Sequence, residues 1–414
     1  MAQAKTIKVK RKEPSPCVPA RENGLLAQDR TSFDPVDAIE RRFHTWLGQM
    51  TAGVSPNAYS LAYRDWLEHL ALSPGKQMEL VKSAAEHLAQ LQRYTTDASC
   101  EGNPTCPINP GPTDRRFKSQ AWCEFPYNVY KQSFLLYRDW WKQATSNVRG
   151  ANPHSLDLVS FTLRQMIDAI APSNFVLTNP LLTHATQEQK GMNLVTGWTN
   201  LLEDLSRLAN DEKPVGLEQF EVGKNLAITK GKVIFRNELL ELIQYEPATR
   251  NVYAEPVFIV PAWIMKYYIL DLSTHNSLVK YLVGKGHTVF IISWKNPTAD
   301  YRNVSLNDYL QRGLFEALDV AQHVVPDKKI HAVGYCLGGT LLAIAAAWVG
   351  KRRKQPFASI TLFTAQVDFE EPGELHMFID ESQLQFLEDI MQEQGYLDKR
   401  QMKGIFQWLR SNEQ

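Results

Sequence analysis

The feature that most constrains this chain is an apolar run that ends in a glycine-flanked cysteine. Residues 330–340 read IHAVGYCLGGT, and an alanine-rich stretch follows as far as Gly350. The pattern predicts a buried strand, a sharp turn at Cys336 and then a helix. Gly334 and Gly338 suit such a turn because they lack the Cβ atom that would collide where the strand meets the helix.

Cys336 is the candidate nucleophile. A strand that turns into a helix through Gly-x-Cys-x-Gly resembles the nucleophile elbow, with cysteine in place of serine. The positive end of the helix favours the thiolate, and the Leu337 N–H is placed to donate to an oxyanion. The alternative is a buried cysteine in a glycine-rich connection. The flanking strand, the helix and the additional Gly339 favour the nucleophile.

The remaining cysteines are interpreted as structural or incidental: Cys17, Cys100, Cys106 and Cys123. Cys100 and Cys106 stand in a loop with poor zinc-finger spacing and no histidine nearby. Five cysteines in 414 residues are too few for a disulfide scaffold. We therefore expect reduced thiols, no metal site and no cofactor.

The charge balance and the hydropathy pattern exclude several classes of protein. Lys plus Arg and Asp plus Glu both number 45, which does not fit a globally basic nucleic-acid binder. The longest strongly apolar stretch, residues 341–349, is far shorter than the ~20 residues of a transmembrane helix. The basic N-terminus lacks the apolar core of a secretory signal. These features predict a cytoplasmic protein with no transmembrane segment.

The chain divides into three regions. Residues 1–36 are polar and lack periodicity, which predicts a disordered tail. Residues 37–215 carry helical periodicity without strand alternation and predict a helical domain. In residues 216–414, short β-rich runs alternate with helical patterns, which predicts an α/β fold with a mainly parallel sheet. The predicted strands are 226–229, 232–236, 240–245, 257–260, 288–293, 330–334 and 359–364, and the later ones are apolar on both faces, as in a covered sheet.

The loop after residues 257–260 is the candidate second half of the oxyanion site. It reads Pro261-Ala262-Trp263. In folds with a nucleophile elbow, the second oxyanion donor comes from the loop after an earlier strand. Pro261 has no N–H, so Val260, Ala262 or Trp263 would be the donor. A simple strand-to-helix turn is the alternative.

Several blocks together resemble the polyhydroxyalkanoate synthase family. No single block is decisive, but their number and order are. In the helical half they are 114–117 (DRRF) with Trp122, 171–175 (APSNF), 178–180 (TNP), 192–195 (MNLV) and 200–205 (NLLEDL). In the α/β half they are 223–225 (GKN), 242–247 (LIQYEP), 266–272 (KYYILDL), 286–290 (GHTVF), 293–297 (SWKNP) and 334–339 (GYCLGG).

The resemblance implies a fold, a reaction and partners. Residues 216–414 would form a partial α/β-hydrolase catalytic domain behind the helical N-terminal domain. Cys336 would take the acyl group of (R)-3-hydroxyacyl-CoA as a thioester, release CoA and pass the chain to the hydroxyl of another unit. The polyhydroxyalkanoate granule surface is the implied partner, and a homodimer is left open. Asp271, in a strongly matching block, would help to position the oxyanion loop or a water, or would be a surface residue of no special role.

The sequence departs from the family in one respect. A triad Asp and His are expected after the nucleophile, yet the only histidine there is His376, in a segment that does not resemble the catalytic one. We expect a chain truncated on its C-terminal side, lacking both triad residues and inactive, with His376 as base the weaker alternative. Two further hypotheses stay open: a Cys-elbow hydrolase similar to dienelactone hydrolase, and a non-catalytic remnant that binds granules.

Overall fold

The computed structural model describes residues 35–51, 53–100, 105–210, 212–350, 355–398 and 401–402. Residues 1–34 of the expected tail, with Cys17, lie outside this part. Residues 35 and 36 were also expected in the tail, but they form the start of the first described helix. Up to residue 210 every regular element of the described chain is helical, as the periodicity predicts. The α-helices there are α1 (Pro35–Met50), α2 (Pro56–Ala71), α3 (Pro74–Cys100), α4 (Tyr127–Ala144), α5 (Pro153–Ala169), α6 (Pro180–Glu188) and α7 (Met192–Ala209).

Local sequence explains where these helices begin. Proline occupies the first turn of α2, α5 and α6, where its missing N–H costs nothing. The side chains of Asn152 and Asn179 cap α5 and α6 by accepting from backbone N–H groups of the first turn. The Asn-Pro pair at the start of α6 is a recognisable signal for this helix.

A partly buried ion-pair network ties α4 and α5 to the loop before α4. The Arg116 guanidinium donates to Asp114 and Asp168 at 2.8 Å each, and Arg138 donates to Asp114 at 3.0 Å. Burial acts to raise the pKa of Asp114, but the two guanidinium groups outweigh it, so the pKa lies below its ordinary value. The block at residues 114–117 thus has a structural use in the helical region.

A six-stranded sheet forms the second half. Its strands are β1 (Gly231–Arg236), β2 (Leu240–Tyr245), β3 (Val257–Val260), β4 (Val289–Trp294), β5 (Ile330–Tyr335) and β6 (Phe357–Phe363), in the order β1-β2-β4-β3-β5-β6. Strand β2 is antiparallel to both neighbours, whereas β4, β3, β5 and β6 pair in parallel. This order with an antiparallel second strand is that of the α/β-hydrolase fold, so the predicted fold class is confirmed.

Helices cover both faces of the central strands. They are α8 (Leu278–Gly284), α9 (Leu306–Asp308), which continues through a π-helical turn (Tyr309–Phe315) into α10 (Glu316–Val324), and α11 (Leu337–Gly350). On one face, Phe258 and Phe290 pack with Leu314, Leu341 and Leu342 of the π-turn and α11. On the other, the sheet packs against Val279 and Val283 of α8. The central strands are therefore buried on both sides.

Two predicted strands differ from what the structure contains. Residues 226–229 are not a strand, because Ala227 has a left-handed φ of 51° and its N–H donates to the Asp271 carbonyl. Strand β6 exists, but it is largely exposed rather than covered on both faces. It is the last strand of the described sheet order, so it has a neighbour on one side only.

A late helix, α12 (Glu381–Gln394), packs on α1. The side chain of Gln383 accepts from the Ser55 N–H and donates to the Gly53 carbonyl, both at 2.8 Å in a buried position. Gly48 of α1 leaves room for Ile390, since an added Cβ would lie 2.5 Å from its Cδ1. The N-terminal helices therefore hold the segment that follows β6.

Among the described helices, none combines the length and the apolarity that a membrane-spanning segment requires.

Candidate active site

The elbow at Cys336 joins β5 to α11. Cys336 is partly exposed and has a left-handed φ of 54°, a strained conformation for a residue with a side chain. A Cβ on Gly334 would lie 2.3 Å from the Cα of Gly339, and one on Gly338 would lie 2.2 Å from the Val260 carbonyl oxygen. Both contacts are with backbone, so only glycine fits at either position. The residue types of the motif are explained by this close approach.

Strand β6 and the residues after it hold the other side of the elbow. The Cys336 N–H donates to the Phe363 carbonyl at 3.0 Å. Thr340 in the first turn of α11 donates through its hydroxyl to the Gln366 carbonyl at 2.8 Å. A Cβ on Gly339 would lie 2.5 Å from the Cβ of Ala365. The conformation of the elbow therefore depends on contacts with β6 and the residues after it as well as on the turn sequence.

The loop after β3 reaches the elbow. The Val260 and Pro261 carbonyls pack against Gly338, and Ala262 is fully buried. The N–H groups of Leu337, Ala262 and Trp263 have no acceptor among the described residues. Such unengaged donors beside a nucleophile are what an oxyanion site requires. The structure therefore brings together Cys336, Leu337 and the predicted loop.

Aromatic rings pack around Trp263 of this loop. The Trp263 ring lies 5.2 Å from that of Tyr309 and 6.5 Å from that of Trp294, measured between centroids. The indole N–H of Trp294 donates to the Pro261 carbonyl at 2.7 Å. Trp294 was not singled out from the sequence. Its only signal there was its place in the block at residues 293–297.

Asp271 is buried and is tied to two other segments. Its carboxylate accepts from the hydroxyls of Thr229 and Ser277 at 2.6 Å each, and Ser277 in turn caps α8. The pKa values of Tyr245 and Tyr267 are raised above their ordinary value. Burial is the main cause, and the negative charge of Asp271 is the second. The surface-residue alternative for Asp271 is therefore wrong. No hydrogen bond links it to Cys336 in the described part of the chain.

His376 faces the helical region. Its Nε2 lies 3.1 Å from an Asp157 carboxylate oxygen of α5, and its Nδ1 lies 2.7 Å from the Gly373 carbonyl. The described residues offer no hydrogen-bond partner to the Cys336 sulfur. A base for Cys336 is therefore not supplied by His376 in this arrangement. Cys106 and Cys123 are free thiols.

Comparison with known proteins gives a consistent result. Residues 113–282 match the family model described as the poly-beta-hydroxybutyrate polymerase (PhaC) N-terminus, and residues 34–76 match that of the poly-beta-hydroxybutyrate polymerase N terminal region. The chain is 38% identical to a poly(3-hydroxyalkanoate) polymerase of Methylorubrum extorquens over 352 residues, which are 84% of this chain and 57% of that protein.

Two further relatives agree. A poly(3-hydroxyalkanoate) polymerase subunit PhaC of Rhizobium etli is 37% identical over 79% of this chain and 52% of its own length. One of Cupriavidus necator is 36% identical over 86% of this chain and 59% of its own length. The chain thus spans a little over half the length of these relatives. By these matches, the chain belongs to the poly-beta-hydroxybutyrate polymerase family.

Proposed function

We propose that the chain carries out the acyl-transfer chemistry of a polyhydroxyalkanoate synthase, with (R)-3-hydroxyacyl-CoA as substrate. The observation that carries the proposal is the strained, partly exposed Cys336 on an elbow where only glycine fits on either side. A cysteine suits this reaction because the attacking sulfur and the departing CoA sulfur are chemically alike.

In the first step, the Cys336 thiolate attacks the thioester carbonyl carbon. The carbonyl oxygen becomes an oxyanion, which accepts hydrogen bonds from the Leu337 N–H and from an N–H of the loop after β3. The carbon–sulfur bond to CoA then breaks, and CoA leaves as a thiolate. The acyl group remains on Cys336 as an enzyme thioester.

In the second step, the 3-hydroxyl oxygen of another unit attacks the thioester carbonyl carbon and must lose its proton to a base. An ester forms as the carbon–sulfur bond to Cys336 breaks, and the Cys336 thiolate is the leaving group. The residues around Cys336 that the structure describes include no histidine bonded to its sulfur. We expect sustained polymerisation to require a base from outside these residues. The inactivity expected from the sequence then applies to polymerisation, whereas acylation, which starts from the Cys336 thiolate, is the step that we propose for this chain.

Asp271 has a positioning role in this proposal. Its hydrogen bonds hold residue 229 and the start of α8 on either side of the segment that follows the oxyanion loop. The block containing Asp271, which follows the loop of Ala262 and Trp263 in the chain, is thereby fixed to the turn before β1 and to the start of α8. Its carboxylate has no contact with Cys336, so we assign it no direct chemical step.

The granule surface is the proposed partner of α7. No residue of this helix is buried, and its apolar side chains recur on one face: Leu194, Trp198, Leu201, Leu205 and Leu208. Its only charged residues are Glu203, Asp204 and Arg207. An anionic membrane would favour a basic polar face. This helix therefore suits an uncharged apolar surface such as a polyester.

Incubation with 3-hydroxybutyryl-CoA tests the acyl-transfer proposal. We expect the mass of the protein to rise by one hydroxybutyryl group, mapped to Cys336, with release of free CoA. Cys336→Ala should abolish the adduct completely, whereas Cys123→Ala, which removes another free thiol, should leave it intact. An undiminished adduct in Cys336→Ala contradicts the proposal, and release of free hydroxy acid without an adduct or polymer indicates the hydrolase instead.

A further inference from the structure

The end of β4 is joined to the oxyanion loop by a single side-chain hydrogen bond. Trp294, the last residue of β4, is 8% exposed, and its Nε1–H donates to the Pro261 carbonyl at 2.7 Å. No step of the proposed reaction uses Trp294. The bond joins two parallel strands at their carboxyl ends, where the site lies.

This hydrogen bond determines the direction of a neighbouring N–H group. The peptide between Pro261 and Ala262 is planar and trans, so its C=O and N–H point in opposite directions. Because the hydrogen bond holds the Pro261 carbonyl, it also fixes the direction of the Ala262 N–H. The backbone that leads to the Trp263 N–H begins at the same peptide and is constrained with it. Both N–H groups are candidate oxyanion donors.

The indole ring itself has little freedom to move. The backbone of Trp294 is fixed in the sheet, where it pairs with Leu240 of β2. Gly313 in the π-helical turn lies against the ring, since an added Cβ there would be 2.8 Å from Cζ3. The Tyr309 ring lies beside it, tilted by 51°, with ring centroids 5.3 Å apart. A donor so confined can hold the loop in one orientation.

We propose that Trp294 is a positioning residue for acyl transfer, which keeps an N–H of the loop at residues 261–263 aimed at the developing oxyanion. The proposal rests on the acyl transfer proposed above. Trp294 does not touch the substrate in this mechanism. Its effect is confined to the step in which negative charge develops on the carbonyl oxygen.

Trp294→Phe tests this, because it keeps a ring and removes the N–H. Two reactions of Cys336 are compared in single-turnover experiments. Acylation, by 3-hydroxybutyryl-CoA and separately by p-nitrophenyl acetate, passes through an oxyanion, whereas alkylation by iodoacetamide does not. We expect acylation by either donor to slow by about tenfold, less than the 10²–10³-fold cost of removing an oxyanion donor outright, and alkylation to keep its rate.

Trp122→Phe is the matched control, since Trp122 is fully buried in the helical region and its indole N–H has no partner among the described atoms. It should leave both reactions unchanged. If Trp294→Phe does not fold, Gly313→Ala, which displaces the ring and keeps its N–H, should also slow acylation selectively. Equal acylation rates in the variant and the parent, or an equal fall in acylation and alkylation, overturn the proposal.

The two acyl donors separate the two proposals. Acylation of the parent by p-nitrophenyl acetate but not by 3-hydroxybutyryl-CoA contradicts the proposed substrate, while the nitrophenyl ester still measures the effect of Trp294. A selective loss with both donors supports both proposals.

Discussion

Two helices that carry large apolar side chains, α11 and α7, have opposite surroundings. In α11, Leu341, Leu342 and Ala345 are fully buried against the sheet. In α7 no residue is buried, and the side chains of Trp198 and Leu208 are 63% and 78% exposed. Helix α11 has no charged residue and is apolar on all sides, as is typical of a buried helix, whereas α7 carries charged residues and still exposes its apolar face. The parallel strands beside α11 provide an apolar surface, whereas α7 packs mainly on the short helix α6.

The difference bears on what each helix can do. A helix packed on the sheet holds Cys336 and the Leu337 N–H in one geometry, as catalysis by preorganised groups requires. A helix with an exposed apolar face is suited to contact with a further apolar surface. We therefore treat α11 as the scaffold of the site and α7 as the proposed contact with the granule.

The largest effect on stability is expected from Leu342→Ala in α11. Removing a fully buried leucine leaves a cavity under the elbow and should lower the free energy of unfolding by about 2–5 kcal/mol. Leu205→Ala in α7, an exposed site, should change it by less than about 0.5 kcal/mol. Urea denaturation of both variants measures the contrast. If both variants lost the same free energy of unfolding, α7 would be packed in solution, and the contrast between α7 and α11 would not hold.

Periodicity and turn residues predict much of this architecture because they act locally. The 3.6-residue repeat indicates α7, the alanine-rich run after the elbow indicates α11, and the glycines around Cys336 indicate the elbow. Periodicity does not report which neighbour covers a strand. The apolar run at residues 359–364 therefore predicted a buried strand, whereas β6 is exposed at the end of the sheet order.

The details of the site that were missed depend on contacts between distant residues. Trp294 and Pro261 are 33 positions apart, and Gln383 lies 328 positions from Ser55. Residues 226–229 have the composition of a strand, but Ala227 donates its N–H to the Asp271 carbonyl and leaves the extended conformation. Such pairings follow from the tertiary fold and have no local signal.

A smaller effect on stability is expected from Gly338→Ala at the start of α11. The added methyl group meets the backbone of Val260 and Pro261, so the loop or the helix must move, at a cost of about 1–3 kcal/mol. The shift should also slow acylation of Cys336, because it moves the oxyanion loop.

Gly197→Ala in α7 is the matched substitution. An added Cβ at Gly197 meets nothing within 4 Å, so the change should stabilise the helix by about 0.5–1 kcal/mol. Thermal denaturation and the single-turnover acylation rate measure both variants. If Gly338→Ala acylated at the parent rate, the close packing between the elbow and the loop would not matter for the chemistry.

The smallest effect on stability, but a clear one on binding, is expected from Trp198→Ser combined with Leu201→Ser on the apolar face of α7. Both side chains are exposed, so the unfolding free energy should change by less than about 0.5 kcal/mol for each. Burying a large apolar side chain contributes about 1.5–3 kcal/mol, so affinity for poly(3-hydroxybutyrate) particles should fall by at least about tenfold.

Co-sedimentation with these particles measures the loss of affinity, with Asn200→Ser as the control. Undiminished sedimentation of the double variant, or stronger binding of the parent to anionic vesicles than to the polymer, would contradict the assignment of α7 to an uncharged surface.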